Sequence, residues 1–341
     1  MNRPNLISIV KCVSFLLVAL MSFNVQAQTC ATGKVDDQVA DFLKKAGPGQ
    51  TMAQLKAASM QQLKSDVADG FIKLPKDSVK RIEITKGNIK VNVVTAGAKG
   101  KLPVIINFHQ GGFIQPLLPS MEYEAMRLAK RFKAVVFDVD YRVAPEHKFP
   151  AAIDDAYSAY LWVTEKAGDY GGDPSKIILT GIDAGANLAA LVMHKAKKEG
   201  KLKGLKCVIM VCPSVDNPMV GYYDSYDDYA AGYIYTKDQS QFNAQNYHDK
   251  SQWFANNADA WPIYEKEVAG LPPSLIITTE FDVLRDEGIA YGKRLEAAGN
   301  DVSIKCFPHQ LHNFMGLPKS SGEMNRVYEL MGEVITKGLA K

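Results

Sequence analysis

The chain has little that would commit it to an extreme class. Among its 341 residues, 40 basic side chains stand against 37 acidic ones, so no excess of either sign exists to track a phosphate backbone. Basic residues are not interleaved with aromatics in any run, and nucleic acid is not an expected partner. Internal repeats and low-complexity segments are absent. The composition is that of a globular protein, 47% hydrophobic and 23% charged, which excludes disordered and collagenous chains. No apolar run is long enough to span a bilayer, so no stable membrane insertion is expected.

The short apolar run at residues 12–23 has a different meaning. Arg3 and Lys11 precede it, and the small-residue site Val25-Gln26-Ala27 follows. This is the pattern of a secretory signal over residues 1–27, cleaved after Ala27, and it places the mature chain in the periplasm or outside the cell. Cleavage removes Cys12 and leaves four cysteines, an even number that permits disulfides in an oxidising compartment without specifying any pairing. Cys207 and Cys212 fall in one expected strand, 206–212, on opposite faces, where they cannot bridge each other. Both read as buried structural thiols.

From about residue 80, short β-branched runs (104–108, 134–139, 176–179, 206–212, 275–278 and 302–307) alternate with helical patterns at 121–131, 151–166, 187–198 and 286–298. Alternation of this kind predicts a parallel sheet covered by helices. Residues 81–95 read as an entering antiparallel hairpin turning at Lys86-Gly87-Asn88. Two segments break the rhythm. Residues 28–79 are polar and helix-prone, and 217–268 form a long excursion rich in Tyr, Asp and Asn. Insertions beside strand ends commonly act as lids, so both are expected to build a helical cap. Most of its tyrosines (Tyr222, Tyr223, Tyr226, Tyr229, Tyr233, Tyr235) are expected to pack the cap, with one or two facing a ligand.

The segment carrying chemistry follows the strand at 176–179. Thr180-Gly181-Ile182-Asp183-Ala184-Gly185-Ala186-Asn187 is a tight glycine-bounded turn between strand and helix, the shape of a nucleophile elbow with aspartate at the nucleophile position. A dinucleotide fingerprint would need glycine at Asp183, and a carboxylate there would repel pyrophosphate.

Four ordered motifs then carry a resemblance. His109-Gln110-Gly111-Gly112-Phe113, the elbow, Asp282-Val283-Leu284-Arg285-Asp286-Glu287-Gly288 and His312-Asn313-Phe314, with Tyr141-Arg142-Val143-Ala144-Pro145-Glu146 and Phe149-Pro150-Ala151-Ala152 between the first two, resemble the hormone-sensitive-lipase-like α/β-hydrolases. That family contains many bacterial carboxylesterases. The resemblance covers roughly residues 80–320. It implies an α/β-hydrolase fold with a mostly parallel eight-stranded sheet, a small-molecule substrate, no cofactor, no metal, and a homodimer as an option. It also implies a triad of Asp183, His312 and Asp282, with Gly111, Gly112 and Ala184 offering N–H groups to a developing oxyanion.

The departure from the family is Asp183 itself, where the family has serine. Ile182, Ala186 and Gln110 depart as well, which points to a pocket altered for another task. A carboxylate attacking an ester carbonyl is a far better leaving group than the alkoxide it must expel, by about ten powers of ten. At a saturated carbon, such as an epoxide or alkyl halide, a carboxylate can instead displace the leaving group and form an alkyl ester, which His312 would then help water to hydrolyse. Two carboxylates beside His312 favour the imidazolium. Alkylation of Asp183 would remove one charge and release the base when it is needed. Two alternatives remain open: Asp183 as a base in a dehydratase, cyclase or other lyase reaction, and a binding protein without turnover.

The other candidates carry less. His309 and His312 share a metal-like spacing without further ligands. His147, His194 and His248 read as packing or surface residues. Asp138 and Asp140 are expected to cap a helix and pair with Arg142, Asp154 and Asp155 to suit a helix dipole, and Trp162, Trp253 and Trp261 to anchor core or cap.

Overall fold

The computed structural model describes residues 30, 32–35, 37, 40, 43–44, 79–84, 89–95, 97, 100–231, 233–316 and 322–341. The signal segment, most of 28–79 and the turn Lys86-Gly87-Asn88 lie outside these residues.

Eight strands form one sheet in the order β1-β2-β4-β3-β5-β6-β7-β8. They are β1 (Val79–Ile84), β2 (Ile89–Val94), β3 (Leu102–Phe108), β4 (Val135–Asp140), β5 (Gly172–Ile182), β6 (Leu205–Val211), β7 (Ser274–Phe281) and β8 (Val302–Leu311). The hairpin β1–β2 and the β2–β4 pair are antiparallel, and every other pairing is parallel. The central strands are buried on both faces, which is why they read as continuous apolar runs rather than alternating ones.

Helices cover both faces. On one side pack α1 (Pro119–Phe132) and α7 (Gly322–Leu339), contributing Ala125, Leu128, Val327 and Met331 to one apolar cluster. On the other pack α2 (Ala151–Lys166), α3 (Ala184–Lys198) and α6 (Arg285–Ala297), with Ala152, Ala156, Leu188, Leu191 and Tyr291 in a second cluster. Helix α7 adds an element beyond the helices expected from the sequence; Met324, Val327, Tyr328, Met331 and Ile335 supply its buried stripe. Helices α4 (Asp224–Asp228) and α5 (Lys237–Tyr247) belong to the excursion between β6 and β7. Residues 37, 40, 43 and 44 are helical as well.

The elbow depends on close approach of backbones. A Cβ on Gly185 would stand 2.0 Å from the Phe108 carbonyl oxygen, and one on Gly181 would stand 2.2 Å from the Gly185 carbonyl carbon. These two glycines let α3 leave β5 hard against β3. Between them Asp183 adopts φ 56°, ψ −119°, a conformation that L residues rarely hold and that aims its side chain away from the strand.

Three expectations need correction. Strand β6 ends at Val211; Cys212 turns at φ 45°, and both free thiols pack in the same cluster instead of on opposite faces. The strand alternation that placed them apart stops one residue too soon. Arg142 does not pair with Asp138 or Asp140; its guanidinium grips Asp155 through bonds of 2.8 and 2.7 Å. Asp138 is fully buried, accepts a 2.7 Å bond from Asn107 Nδ2, and has its pKa pushed up to about 8, chiefly by burial. Finally, the strand expected at 176–179 extends over Gly172–Ile182.

Cys30 and Cys306 form a disulfide that ties the N-terminal segment to β8.

Gly185→Ala should cost about 3 kcal/mol or more, since the new methyl meets rigid backbone rather than a side chain able to move. Thermal or urea unfolding of the variant measures it, and a loss below 1 kcal/mol would show that α3 can retreat from β3.

Candidate active site

Asp183, Asp282 and His312 are brought together at the C-terminal ends of β5, β7 and β8, where open α/β sheets place their sites. His312 Nδ1 is bonded to Asp282 Oδ2 at 2.9 Å. The other oxygen of Asp282 accepts from the Leu284 N–H at 2.9 Å, so the acid is held on both sides and is 1% exposed. Burial opposes charge on the imidazole. The charge and hydrogen bond of Asp282, with the charge of Asp183 added, still raise its pKa above the ordinary 6.5.

Asp183 is buried, and its two oxygens are treated unequally. Oδ2 accepts from the Gly111 N–H at 3.1 Å and from the Gly112 N–H at 2.8 Å. Oδ1 is buried with no hydrogen-bond partner. The two donors belong to a glycine turn at φ 127° and 57°, where a side chain would be strained and would also collide: a Cβ on Gly112 would lie 1.9 Å from Asn243 Nδ2. Ala184 is the first residue of α3, where its N–H has no acceptor within the helix, but it is not among the donors to the carboxylate.

The turn is braced from below and above. Tyr141 donates its hydroxyl to the His109 carbonyl at 2.7 Å, and the two rings stack at 4.0 Å. Burial holds the His109 pKa down at about 4, so it is a neutral packing ring. From the cap, Tyr247 stacks on Phe113 at 4.1 Å while Asn243, one turn earlier on α5, rests against Gly112. Residues 240, 243, 244 and 247 form the buried stripe that lays α5 on this turn.

Tyr235 and Asn243 are the site residues that motif reading did not single out. The Tyr235 ring stacks over His312 with centroids 4.5 Å apart, and its hydroxyl accepts from Asn243 Nδ2 at 3.2 Å. The Asp183 charge adds to burial in raising its pKa well above 10. The Tyr-rich composition of the cap was the available signal, without a spacing rule to choose Tyr235. Its neighbours differ: Tyr226 bonds the buried carboxyl of Glu287, Tyr223 donates to Asp216 at 2.7 Å, Tyr229 and Tyr233 pack on Phe281, and Tyr222 is exposed.

The histidines at 309 and 312 part company, since His309 turns toward Lys34 and Thr32. Cys212, Asp282 and His312 do place three potential ligand atoms within 4.8 Å. The thiol is pushed well above its ordinary pKa, first by burial and then by Asp282, so it is a poor thiolate ligand. His194 bonds the Tyr291 hydroxyl at 2.7 Å and His248 sits among Phe149, Tyr247 and Trp261, both as packing residues. Trp261 also packs on Phe113, and Trp162 on Phe137.

A strand-to-helix elbow, a backbone N–H pair facing it, and an acid–histidine pair on the last two strands define an α/β-hydrolase centre. The family model described as "alpha/beta hydrolase fold" matches residues 105–316. The carboxylesterase NlhH of Mycobacterium tuberculosis is 33% identical over 232 residues, 64% of this chain and 68% of that protein. An arylesterase of Saccharolobus solfataricus is 27% identical over 301 residues, 85% of this chain and 95% of its own. Among solved structures, an esterase of Pyrobaculum calidifontis superimposes with a TM-score of 0.81 at 29% identity, covering 89% of this chain and 98% of that one. The chain belongs to the α/β-hydrolase family and is a carboxylesterase-like hydrolase.

The raised His312 pKa gives a sign to test. The ring's interaction with Asp282 stabilises the fold fully below about pH 6.5, its unfolded value, and that contribution is lost as pH rises through the higher native value. Imidazole NMR should show His312 more than half protonated at pH 6.5, and Asp282→Asn should lower its pKa. A ring already neutral at pH 6.5 in the native protein would contradict the charge arrangement.

Proposed function

We propose that this hydrolase acts on small organic substrates at a saturated carbon, an epoxide or alkyl halide, through covalent attack by Asp183. The observation that supports the reading is the unequal environment of the two Asp183 oxygens. Oδ2 already lies against the Gly111 and Gly112 N–H groups, whereas Oδ1 is buried and free.

In the first step Oδ1 forms a bond to the substrate carbon, and the bond to the leaving group breaks with its electron pair departing on halide or epoxide oxygen. Asp183 becomes an alkyl ester whose carbonyl oxygen is Oδ2. The lost negative charge weakens the support for the imidazolium, so His312 gives its proton to the new alkoxide of an opened epoxide, or to solvent where halide leaves, and becomes a base. Water then attacks the Asp183 carboxyl carbon while His312 takes its proton. Negative charge grows on Oδ2, the atom the two N–H donors already hold. Collapse expels the alkoxide, which His312 reprotonates, and the Asp183 carboxyl, now carrying one oxygen from water, gives its remaining proton back to His312.

The machinery of an esterase is thereby kept, with the enzyme's own ester as the bond it cleaves. An external ester fares worse at this centre. Its carbonyl oxygen would have to displace Oδ2 from the same donors, and the tetrahedral adduct would expel Asp183 in preference to alkoxide.

Incubation with epoxides and alkyl halides should add one substrate mass to the peptide containing Asp183, and turnover in ¹⁸O-water should place label in that carboxylate. Asp183→Asn should reduce turnover by at least about a thousandfold. Asp183→Ser vacates the two donors and should gain cleavage of short-chain esters. Turnover without adduct or label would replace this reading with Asp183 as a non-covalent base, and tight binding without turnover would make the chain a binding protein.

We also propose that the chain is exported, on two supports: the cleavable pattern over residues 1–27, and a disulfide of a kind that persists in oxidising compartments. N-terminal sequencing of protein from the periplasm or medium should begin at Gln28; an intact Met1 on the active protein would oppose it.

A further inference from the structure

Glu280 lies at the end of β7, two residues before the acid Asp282, and is buried although nothing in the reaction uses it. Its carboxylate collects donors from two directions. Oε1 accepts from the Thr32 and Gly33 N–H groups, the latter at 2.7 Å. Oε2 accepts from the Thr32 hydroxyl at 2.6 Å and from the His309 N–H of β8 at 2.8 Å. His309, three residues before the base His312, completes the junction through a 2.6 Å contact between its Nδ1 and the Lys34 carbonyl.

The same N-terminal strap is tied covalently to β8 by Cys30–Cys306, and its Val35 and Leu43 pack against Phe281 and Leu311. Phe281 and Leu311 are partners in the β7–β8 ladder, and each immediately precedes a member of the acid–base pair. One carboxylate therefore joins the strap, the end of β7 and the end of β8 beside the point where Asp282 and His312 meet.

We infer that Glu280 is a positioning residue for Asp282 and His312, acting through the disulfide-closed strap, so that the geometry of the acid–base pair depends on the Cys30–Cys306 bond. Of the four hydrogen bonds to this buried carboxylate, the one from the His309 N–H adds a side-chain tie between the ends of β7 and β8, and the three from Thr32 and Gly33 hold the carboxylate in place for it. The ladder is irregular just there, with a register shift between Thr279 and Phe281. Opening the disulfide removes the covalent end of the strap and leaves the hydrogen bonds to hold it unaided. The inference is independent of whether Asp183 acts as nucleophile, base or neither.

The readout is the His312 titration. Its ring is faced by Asp282, Asp183, Tyr235 and Cys212, and the groups that raise its pKa are Asp282 and Asp183. Around Glu280 stand Thr32, Gly33 and His309, with Arg285 on its backbone carbonyl. Glu280→Gln also removes a negative charge near His312, which by itself disfavours the imidazolium, so the two charge-neutral changes, reduction of the disulfide and Thr32→Ala, report a changed Asp282–His312 geometry.

Histidine-labelled full-length mature protein is titrated by NMR in three forms: oxidised wild type, wild type reduced with dithiothreitol after folding, and Glu280→Gln, whose amide can accept from only part of the four donors. The expected result is a His312 pKa lower by about 0.5 unit or more in the reduced protein and in Glu280→Gln. Turnover should fall with an altered pH profile, and the far-UV circular dichroism should stay native. Should either form unfold, Thr32→Ala, which removes one hydroxyl donor, is expected to shift His312 the same way by a smaller amount. A native fold with an unchanged His312 titration in the reduced protein, or in Thr32→Ala where reduction unfolds it, would overturn the inference. Alkylation results at Asp183 do not bear on either outcome.

Discussion

Two backbone N–H groups pointing at one carboxylate oxygen set the terms for the rest of the molecule. For Gly111 and Gly112 to reach Asp183 Oδ2, the turn after β3 must run at positive φ, and Asp183 must hold a conformation few residues adopt. Helix α3 must also press against β3 closely enough that glycine is the only residue to fit at Gly185. The small residues opening α3, the stacked His109–Tyr141 pair and the cap helix laid over the turn all serve that juxtaposition. Backbone strain of this kind persists only where the surroundings over-determine it. Here a sheet buried on both faces supplies the determination.

Much of this is legible in the amino-acid sequence. The alternation of β-branched runs with helical patterns gave the central strands because each is a continuous apolar segment bounded by turn residues. The order of four motifs located Asp183, Asp282, His312 and the glycine turn because local chemistry ties each to a strand end. What escaped was whatever depends on contacts distant in sequence. Arg142 chose Asp155 over Asp138 because α2 brings Asp155 beneath it, while β4 carries Asp138 into a desolvated layer with Asn107. Cys212 left the face assigned to it because a turn with positive φ ends strand alternation without leaving any sign in composition. Tyr235 was one tyrosine among six, and only the folding of the cap onto β8 distinguishes it.

The polarity of this centre differs from that of a serine site. A hydroxyl at the elbow would leave the paired N–H groups waiting for charge that appears only during reaction. A carboxylate gives them charge at rest, and the same charge reaches His312 and Tyr235, raising the pKa of both. The three side chains of the centre are buried, with Asp183 3%, Asp282 1% and His312 8% exposed.

The Cys30–Cys306 bond has a consequence for the order in which the chain matures. A polypeptide emerging N-terminus first presents Cys30 with Cys207 and Cys212 before its native partner, 276 residues away, has appeared. Once β6 and the turn after it fold, those two thiols are buried in the sheet and withdrawn from competition with Cys306. Packing of a central strand would in this way act as a proofreading step for covalent chemistry at the opposite ends of the chain.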